Sequence, residues 1–290
     1  MTFEKLHRLS ERYETHASEV SAEYSNAFQV FRREAVSEFE AVLFNPFICI
    51  ILQGRKEIHI GKKTVSLVPG DALLISHDLP VTAKILEASP EAPYRSLVFA
   101  LELGIVRSLY EQMGEVISDD SSASALSASV ADPAFVAPMV RYLELMDAPL
   151  DAQILGPMIL KEIHFRLLTS PIGGMLRNLL SVDSHASRIA KSIIRIKNSF
   201  REPLVVADLA RLSGMSASSF HEHFKSVTGT TPLQYQKDLR LIEAQRILLG
   251  GQSSVSAAGF DVGYESSTHF SRDYSRKFGC PPKHHLARAR

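Results

Sequence analysis

From about residue 28 to residue 102, apolar positions alternate with polar ones or run in short blocks, as in AVLFNPFICIILQG, EIHIGKKTVSL, DALLIS and PYRSLVFAL. β-Branched and aromatic runs bounded by turn residues predict short strands, and strands this closely spaced predict a barrel or sandwich. VPGDALLIS sets Pro-Gly-Asp as a turn before a buried strand, and IHIGKKTVSL reads as a hairpin around Gly61. A short amphipathic helix is expected ahead of the strands. From about 103 to 170 the period lengthens to that of a helix, through Phe135, Met139, Leu143 and Met146, then Ile154, Met158, Ile163, Leu167 and Leu168. These read as packing or dimer helices. DDSSASALSASVAD between them reads as a loop, SPIGGML near 170–176 punctuates a domain boundary, and the chain from Ser184 onward is helical with short turns.

The helical end contains an internal repeat. At an offset of 50, SASSFHEHFKSVTGTTP (216–232) matches SSTHFSRDYSRKFGCPP (266–282), pairing Ser216 with Ser266, Phe220 with Phe270, Phe224 with Tyr274, Gly229 with Gly279 and Pro232 with Pro282. Each copy has a serine to N-cap a helix, two aromatics at i and i+4 on its buried face, and a glycine to end it. Before each copy stands another short helix and a glycine turn, VVADLARLSGMS and VSAAGFDVGYES. Gly214 and Gly263 suit a turn that needs positive φ, while Ala210 and Gly259 stand where crossing helices approach closely. A glycine inside a helix costs about 1 kcal/mol relative to alanine, so close packing is the reason expected for Gly259. Between the units, Thr231 as N-cap, Pro232 at the first helical position and terminators Gly250 and Gly251 bound one rod. From 232 to 249 it spans about 27 Å, of the same order as the roughly 34 Å between successive major grooves on one face of DNA. Helix, tight turn, helix, made twice, is an arrangement whose second helix can enter a major groove.

Charge supports a polyanion partner. The chain of 290 residues is long enough for two domains and carries no net charge, yet residues 186–290 hold 16 Lys and Arg against 8 Asp and Glu, leaving 16 against 24 in the first 185. A half of +8 attracts phosphates, and one of −8 is repelled by them. The opening stretch has no apolar h-region and no apolar run approaches the roughly 20 residues of a membrane span, so no membrane association is expected. Two cysteines, Cys49 and Cys280, are too few for a disulfide framework or a zinc site, which fits a reducing cytoplasm.

At DLARLSGMSASSFHEHFKSVTGTTPLQYQKDLRLIEAQRILL followed by FDVGYESSTHFSRDYSRKFGCPP, the chain resembles the AraC/XylS-type bacterial regulators, whose DNA-binding domain has two helix-turn-helix units joined by a long helix. Its first half is similar to the AraC-type cupin-like sensor domain. The resemblance implies that Ser218, Ser219, His221, Glu222 and Lys225 of the first recognition helix, and Ser267, Thr268, His269, Ser271 and Arg272 of the second, face the bases. Arg272 is the best reader, since a guanidinium takes guanine O6 and N7 bidentately, although half or more of such contacts go to the backbone. Glu222 stands where the family usually has a basic residue, and suits a groove only by accepting from cytosine N4. Arg188, Lys191, Arg195, Lys197, Arg276 and Lys277 are candidates for backbone contact, with a plain solvated role as the alternative.

The expected fold class is therefore α+β: a cupin-like β-barrel with packing helices over 1–170, a linker over 171–185, and an all-α domain over 186–290 with units at 205–228 and 255–278 joined by the helix 232–249. The resemblance implies a small effector in the barrel, with Phe47, Cys49, Ile51, His59 and Arg95 as pocket candidates, each also at home in a plain core. Cys49 could sense electrophiles or act as a small hydrophobe. A metal-dependent enzyme is the competing class, but His59 and His77 are the strand-region histidines and form no HxH pair with a following Glu; no GxSxG, P-loop or Rossmann fingerprint occurs either. No catalytic residue, metal or cofactor is expected. Expected partners are double-stranded promoter DNA, RNA polymerase, the effector and a second copy of the chain as a homodimer. Pure protein contact by the helical repeat is a third reading, which predicts binding indifferent to salt.

Overall fold

The computed structural model describes residues 2–15, 27–114, 124–181, 184–251 and 253–288. After α1 (Thr2–Ser10) and the two-residue β1 (Glu14–Thr15) come β2 (Phe28–Arg33), β3 (Glu40–Phe44), β4 (Phe47–Gln53), β5 (Arg55–Ile60), β6 (Lys63–Leu67), β7 (Asp71–Ile75), β8 (Leu79–Glu87) and β9 (Tyr94–Ala100). They form two sheets, ordered β1-β2-β9-β4-β7 plus β10 (Leu126–Val130), and β3-β8-β5-β6. All pairings except β1 with β2 are antiparallel.

Strand periodicity explains the apolar run FICIIL. In β4, Phe47, Cys49 and Ile51 face the second sheet, while Ile48, Ile50 and Leu52 face the helices, so both faces are buried. The helical layer consists of α1, α2 (Leu103–Met113), α3 (Pro133–Leu145) and α4 (Pro149–Thr169). Gly61 has φ 56° in the β5–β6 turn and Gly70 φ 94° before β7, as the turn chemistry requires.

Two segments differ from the sequence expectation. The stretch read as a loop enters the sheet as β10, from Leu126 opposite Ile75 to Val130 opposite Asp71; residues 119–123 of it lie outside the described residues. Its small residues carry no alternation, and backbone pairing to the edge of β7 makes the strand. The expected linker packs: α5 (Gly174–Leu180) buries Met175, Leu176, Arg177 and Asn178, and Nη1 of Arg177 donates to the carbonyls of Leu168 (2.7 Å) and Ser170 (3.2 Å). Residues 182 and 183 of that span lie outside the described residues.

In α4, Ile163, Leu167 and Leu168 are buried as the helical period expects, whereas Leu150, Ile154 and Met158 are 70, 55 and 65 % exposed. Spaced four residues apart, these three share one face.

The C-terminal region is all helical: α6 (His185–Asn198), α7 (Val206–Leu212), α8 (Ala217–Thr228), α9 (Pro232–Leu249), α10 (Val255–Asp261), α11 (Ser267–Phe278) and α12 (Pro282–Arg288). Phe220 and Phe224 join one core with the barrel interior, and Phe270 and Tyr274 organise a separate one. The barrel touches the C-terminal end of α8 directly. The amide of Ala125 donates to the carbonyl of Val227 at 3.0 Å, and a Cβ built on Gly61 would lie 2.2 Å from the carbonyl oxygen of Gly229. The Tyr235 hydroxyl donates to the carbonyl of Asp78 at 2.6 Å, and Nζ of Lys197 lies 2.9 Å from the Asp78 carboxylate.

Candidate nucleic-acid interface

The two halves of the repeat are built alike. The Ser216 side chain accepts from the amide of Ser219 and that of Ser266 from the amide of His269, capping α8 and α11. Each helix ends on a glycine in the left-handed region, Gly229 at φ 74° and Gly279 at φ 70°. Thr231 caps α9, accepting from the amide of Gln234, with Pro232 at its first turn. In each unit the preceding helix crosses close by. A Cβ on Gly259 would stand 2.9 Å from two ring carbons of Phe270, which explains a glycine inside α10. Gly214 and Gly263 form the tight turns at φ 60° and 90°.

With Phe220, Phe224, Phe270 and Tyr274 fully buried, the opposite faces of α8 and α11 meet solvent. Ser218, His221, Glu222 and Lys225 are exposed on α8, and Thr268, His269 and Arg272 on α11; Ser219, Ser267 and Ser271 are half-buried. The barrel meets the C-terminal ends of these helices, at Val227 and Gly229 after α8 and across the cleft lined by Asp273, Arg276 and Lys277 of α11.

Sequence reading missed what joins the two units. The loop between α6 and α7 is held by side chains from α9. Gln236 Nε2 donates to the carbonyls of Phe200 (2.9 Å) and Glu202 (2.6 Å). Arg240 donates to those of Phe200 (2.6 Å), Arg201 (3.0 Å) and Glu202 (2.9 Å). Nε of Arg201 donates to the Asp261 carbonyl at 3.0 Å, and the Arg201 carbonyl lies where a side chain of Gly263 would project. The first unit, the rod and the turn of the second are thus tied at one loop. Such contacts are invisible in sequence because they use backbone acceptors, which any residue supplies.

The cations divide. Arg195 and Lys191 are exposed and Arg188 is half-buried on α6. Lys197 pairs with Asp78 across the domains, Lys277 lies 3.0 Å from Asp238, and Arg276 lies 2.9 Å from Asp273. Arg276 and Lys277 line a cleft of about 430 Å³ beside the barrel, with His59 and Phe39 opposite.

The effector candidates divide as well. Phe47, Cys49 and Ile51 line the barrel interior, where the remaining cavity is only about 10 Å³, scarcely room for one water. His59 and Arg95 do not point inward, because residues adjacent to an inward one face out: Ile58 and Ile60 flank His59, and Tyr94 and Ser96 flank Arg95. His59 packs on Phe39 with tilted rings, centroids 4.5 Å apart, and lies 2.6 Å from the Glu57 carboxylate; Arg95 pairs with Glu14 and Gln53. Lys56 was overlooked. In phase with Ile58, its ammonium is buried in the barrel 5.3 Å from the Phe44 ring and 5.8 Å from that of Tyr94.

A larger space of about 980 Å³ opens between α2, α5, α6 and the start of β8. Its walls include Leu103, Leu180, Ile193 and Ile194, with Arg107 and His77 among the polar groups. His77 is buried, its Nδ1 2.8 Å from the Ser76 hydroxyl and its Nε2 without a partner among the described residues. Burial pushes its pKa down to about 4, so the ring is neutral at pH 7.

Comparison with known proteins agrees with this architecture. A family described as AraC-type transcriptional regulator N-terminus matches residues 26–175, and one described as a helix-turn-helix domain matches 209–288. The HTH-type transcriptional regulator ExsA of Pseudomonas aeruginosa is 23 % identical over 241 residues, covering 81 % of this chain and 84 % of its own. The RCS-specific HTH-type transcriptional activator RclR of Escherichia coli is 30 % identical over 130 residues, 45 % of this chain and 40 % of its own. Among solved structures, ToxT of Vibrio cholerae has the same fold, with a TM-score of 0.52 at 14 % identity, covering 91 % of this chain and 99 % of that one. A second ToxT structure, with an unsaturated fatty acid bound, gives 0.51 at 13 % identity over 90 % of this chain and 95 % of that one. No described helix is long and apolar enough to cross a membrane. The chain belongs to the AraC-type transcriptional regulators, and its helix-turn-helix domain is the part that binds DNA.

Proposed function

We propose that the protein binds its promoter by inserting α8 and α11 into adjacent major grooves on one face of the duplex, acting in the cytoplasm and recruiting or blocking RNA polymerase there. The observation that carries this reading is the clamp of Gln236, Arg240 and Arg201 around the α6–α7 loop, which ties two like-built reading helices to a rod about 27 Å long. Ser218, Ser219, His221, Glu222 and Lys225 would meet one half-site, and Ser267, Thr268, His269, Ser271 and Arg272 the other. Arg188, Lys191, Arg195 and Arg276 are the candidates for phosphate contact. Arg276 would have to leave Asp273, and Lys197 and Lys277 would join only by giving up Asp78 and Asp238.

Arg272 is the residue on which to test base reading. Replacing it with alanine is expected to cost about 1–3 kcal/mol at one base pair and to relax preference there, as measured by selection from a randomised site. An unchanged selected motif would assign Arg272 to the backbone.

The effector reading moves with the geometry. The barrel interior is nearly full, so a small molecule with a largely apolar body fits the 980 Å³ cleft better than the space around Cys49. One wall of that cleft is α6, which packs on α7 and α8, so an occupant would bear on the first reading helix. The fatty acid bound to ToxT is in keeping with such an occupant. A homodimer would form through the exposed stripe of Leu150, Ile154 and Met158 on α4, a face of the spacing that paired helices bury.

A further inference from the structure

We propose that Cys280, His284 and His285 form a binding site for a zinc-class divalent ion at the corner between α11 and α12. Each offers one ligand atom, and these atoms all lie within 4.8 Å of one another. Around tetrahedral zinc, a thiolate sulfur stands at about 2.3 Å and imidazole nitrogens at about 2.0–2.1 Å, so the donors themselves are roughly 3.5 Å apart. Side-chain rotation of about an ångström closes this cluster to that geometry. One sulfur and two imidazoles suit zinc and exclude Mg²⁺ or Ca²⁺, which take oxygen. With three protein ligands the fourth position falls to water or an outside group.

The fold brings the three together for identifiable reasons. Gly279 ends α11 in the left-handed region, Pro282 starts α12, and Cys280 occupies the corner between them. The amide of His284 donates to the carbonyl of Pro281 at 2.9 Å, closing the first turn. His284 is exposed, whereas His285 is 9 % exposed and packs on the rings of Tyr274 and Phe278. The Tyr274 hydroxyl lies 2.8 Å from Nδ1 of His285, the kind of outer contact that fixes the ring of a metal-bound histidine.

As the ion binds, the Cys280 thiol loses its proton to solvent and the sulfur bonds the metal. Because α12 packs against α9, α10 and α11, the ion ties the second reading unit together at its end. Nothing in this site depends on the DNA reading above, since uptake is measured without DNA.

The test uses full-length protein stripped with chelator and titrated with Co²⁺, followed by Zn²⁺. Expected are one Co²⁺ per chain, a thiolate-to-cobalt charge-transfer band, tetrahedral visible bands, and displacement by Zn²⁺ with a rise in melting temperature. Cys280→Ser should lose the charge-transfer band. His284→Gln should weaken uptake at least tenfold, and Tyr274→Phe, which keeps the ring and removes only the hydroxyl, about tenfold. His284 is exposed, so its variant keeps the test decisive should Cys280→Ser disturb the corner. Absence of a thiolate band, or uptake by Cys280→Ser and His284→Gln equal to that of the parent, overturns the site; an octahedral spectrum surviving in both marks adventitious binding by other histidines.

Discussion

Between 50 and 200 mM salt, affinity for the operator is expected to fall about a thousandfold, as it does for a protein that neutralises about six phosphates. The number follows from the surface. Lys191, Arg195, Arg211, Lys225, Arg272 and Lys283 are exposed in a C-terminal region that carries a net charge of +8; Arg211 lies 3.2 Å from Asp208 in a fully solvated pair that costs little to break, whereas Lys197 and Lys277 hold mostly buried carboxylates. Each phosphate neutralised releases about 0.9 of a counterion from B-form DNA, so the slope of log affinity against log salt should be near −5. Fluorescence anisotropy on a labelled duplex measures it. A slope near zero would mean that the repeated helices contact protein and not phosphate. A slope steeper by one or two would mean that Lys197 and Lys277 leave Asp78 and Asp238 on binding, and loss of the Lys197–Asp78 pair would loosen the contact between the domains.

The second large effect is expected at Gly263. Its φ of 90° strains any L-residue, and a Cβ there would stand 2.1 Å from the Arg201 carbonyl oxygen, which also accepts from Arg240. Since neither contact partner is the flexible end of a side chain, the loop clamped to α9 must shift. Gly263→Ala should therefore cost about 3 kcal/mol or more in thermal or denaturant unfolding, and should reduce DNA binding to that of one unit. Gly279 is the control. It has φ 70° but nothing within 4 Å of a built Cβ, so Gly279→Ala should cost only the left-handed strain of about 1–2 kcal/mol. Equal losses at the two glycines would show that the loop does not brace the second turn.

Sequence and structure agree where short-range rules decide. The capping serines, the left-handed glycines and the aromatics at i and i+4 are local requirements of a helix, and they recur at a fixed offset. Gly259 was readable because a glycine inside a helix has a cost that only close packing explains, and the Phe270 ring fills the space where its side chain would be. The run FICIIL predicted a strand, and the structure buries both of its faces.

What the sequence hid is of another kind. β10 is made by an edge seeking a partner, not by its own alternation of residue types. His59 was misplaced because strand membership alone does not say which of two faces is inward; Lys56, one position in phase with Ile58, was the polar residue turned into the barrel. The clamp on the α6–α7 loop, the 980 Å³ cleft and the cluster at Cys280 all depend on elements meeting far along the chain. Cys280 and the His284–His285 pair come together only where α12 turns back at the end of α11, a corner that the count of two cysteines does not reveal.

The central claim, that α8 and α11 are held at the spacing of adjacent major grooves, is tested most directly by changing the spacing in the DNA. Once a bound site has been selected, its two contacted segments should lie about 10–10.5 base pairs apart, centre to centre, on one face. Inserting about five base pairs, half a helical turn, between them turns one segment to the far side of the duplex. A rigidly joined pair should then bind no more tightly than to a single half-site; full affinity for the half-turn insertion would contradict the account.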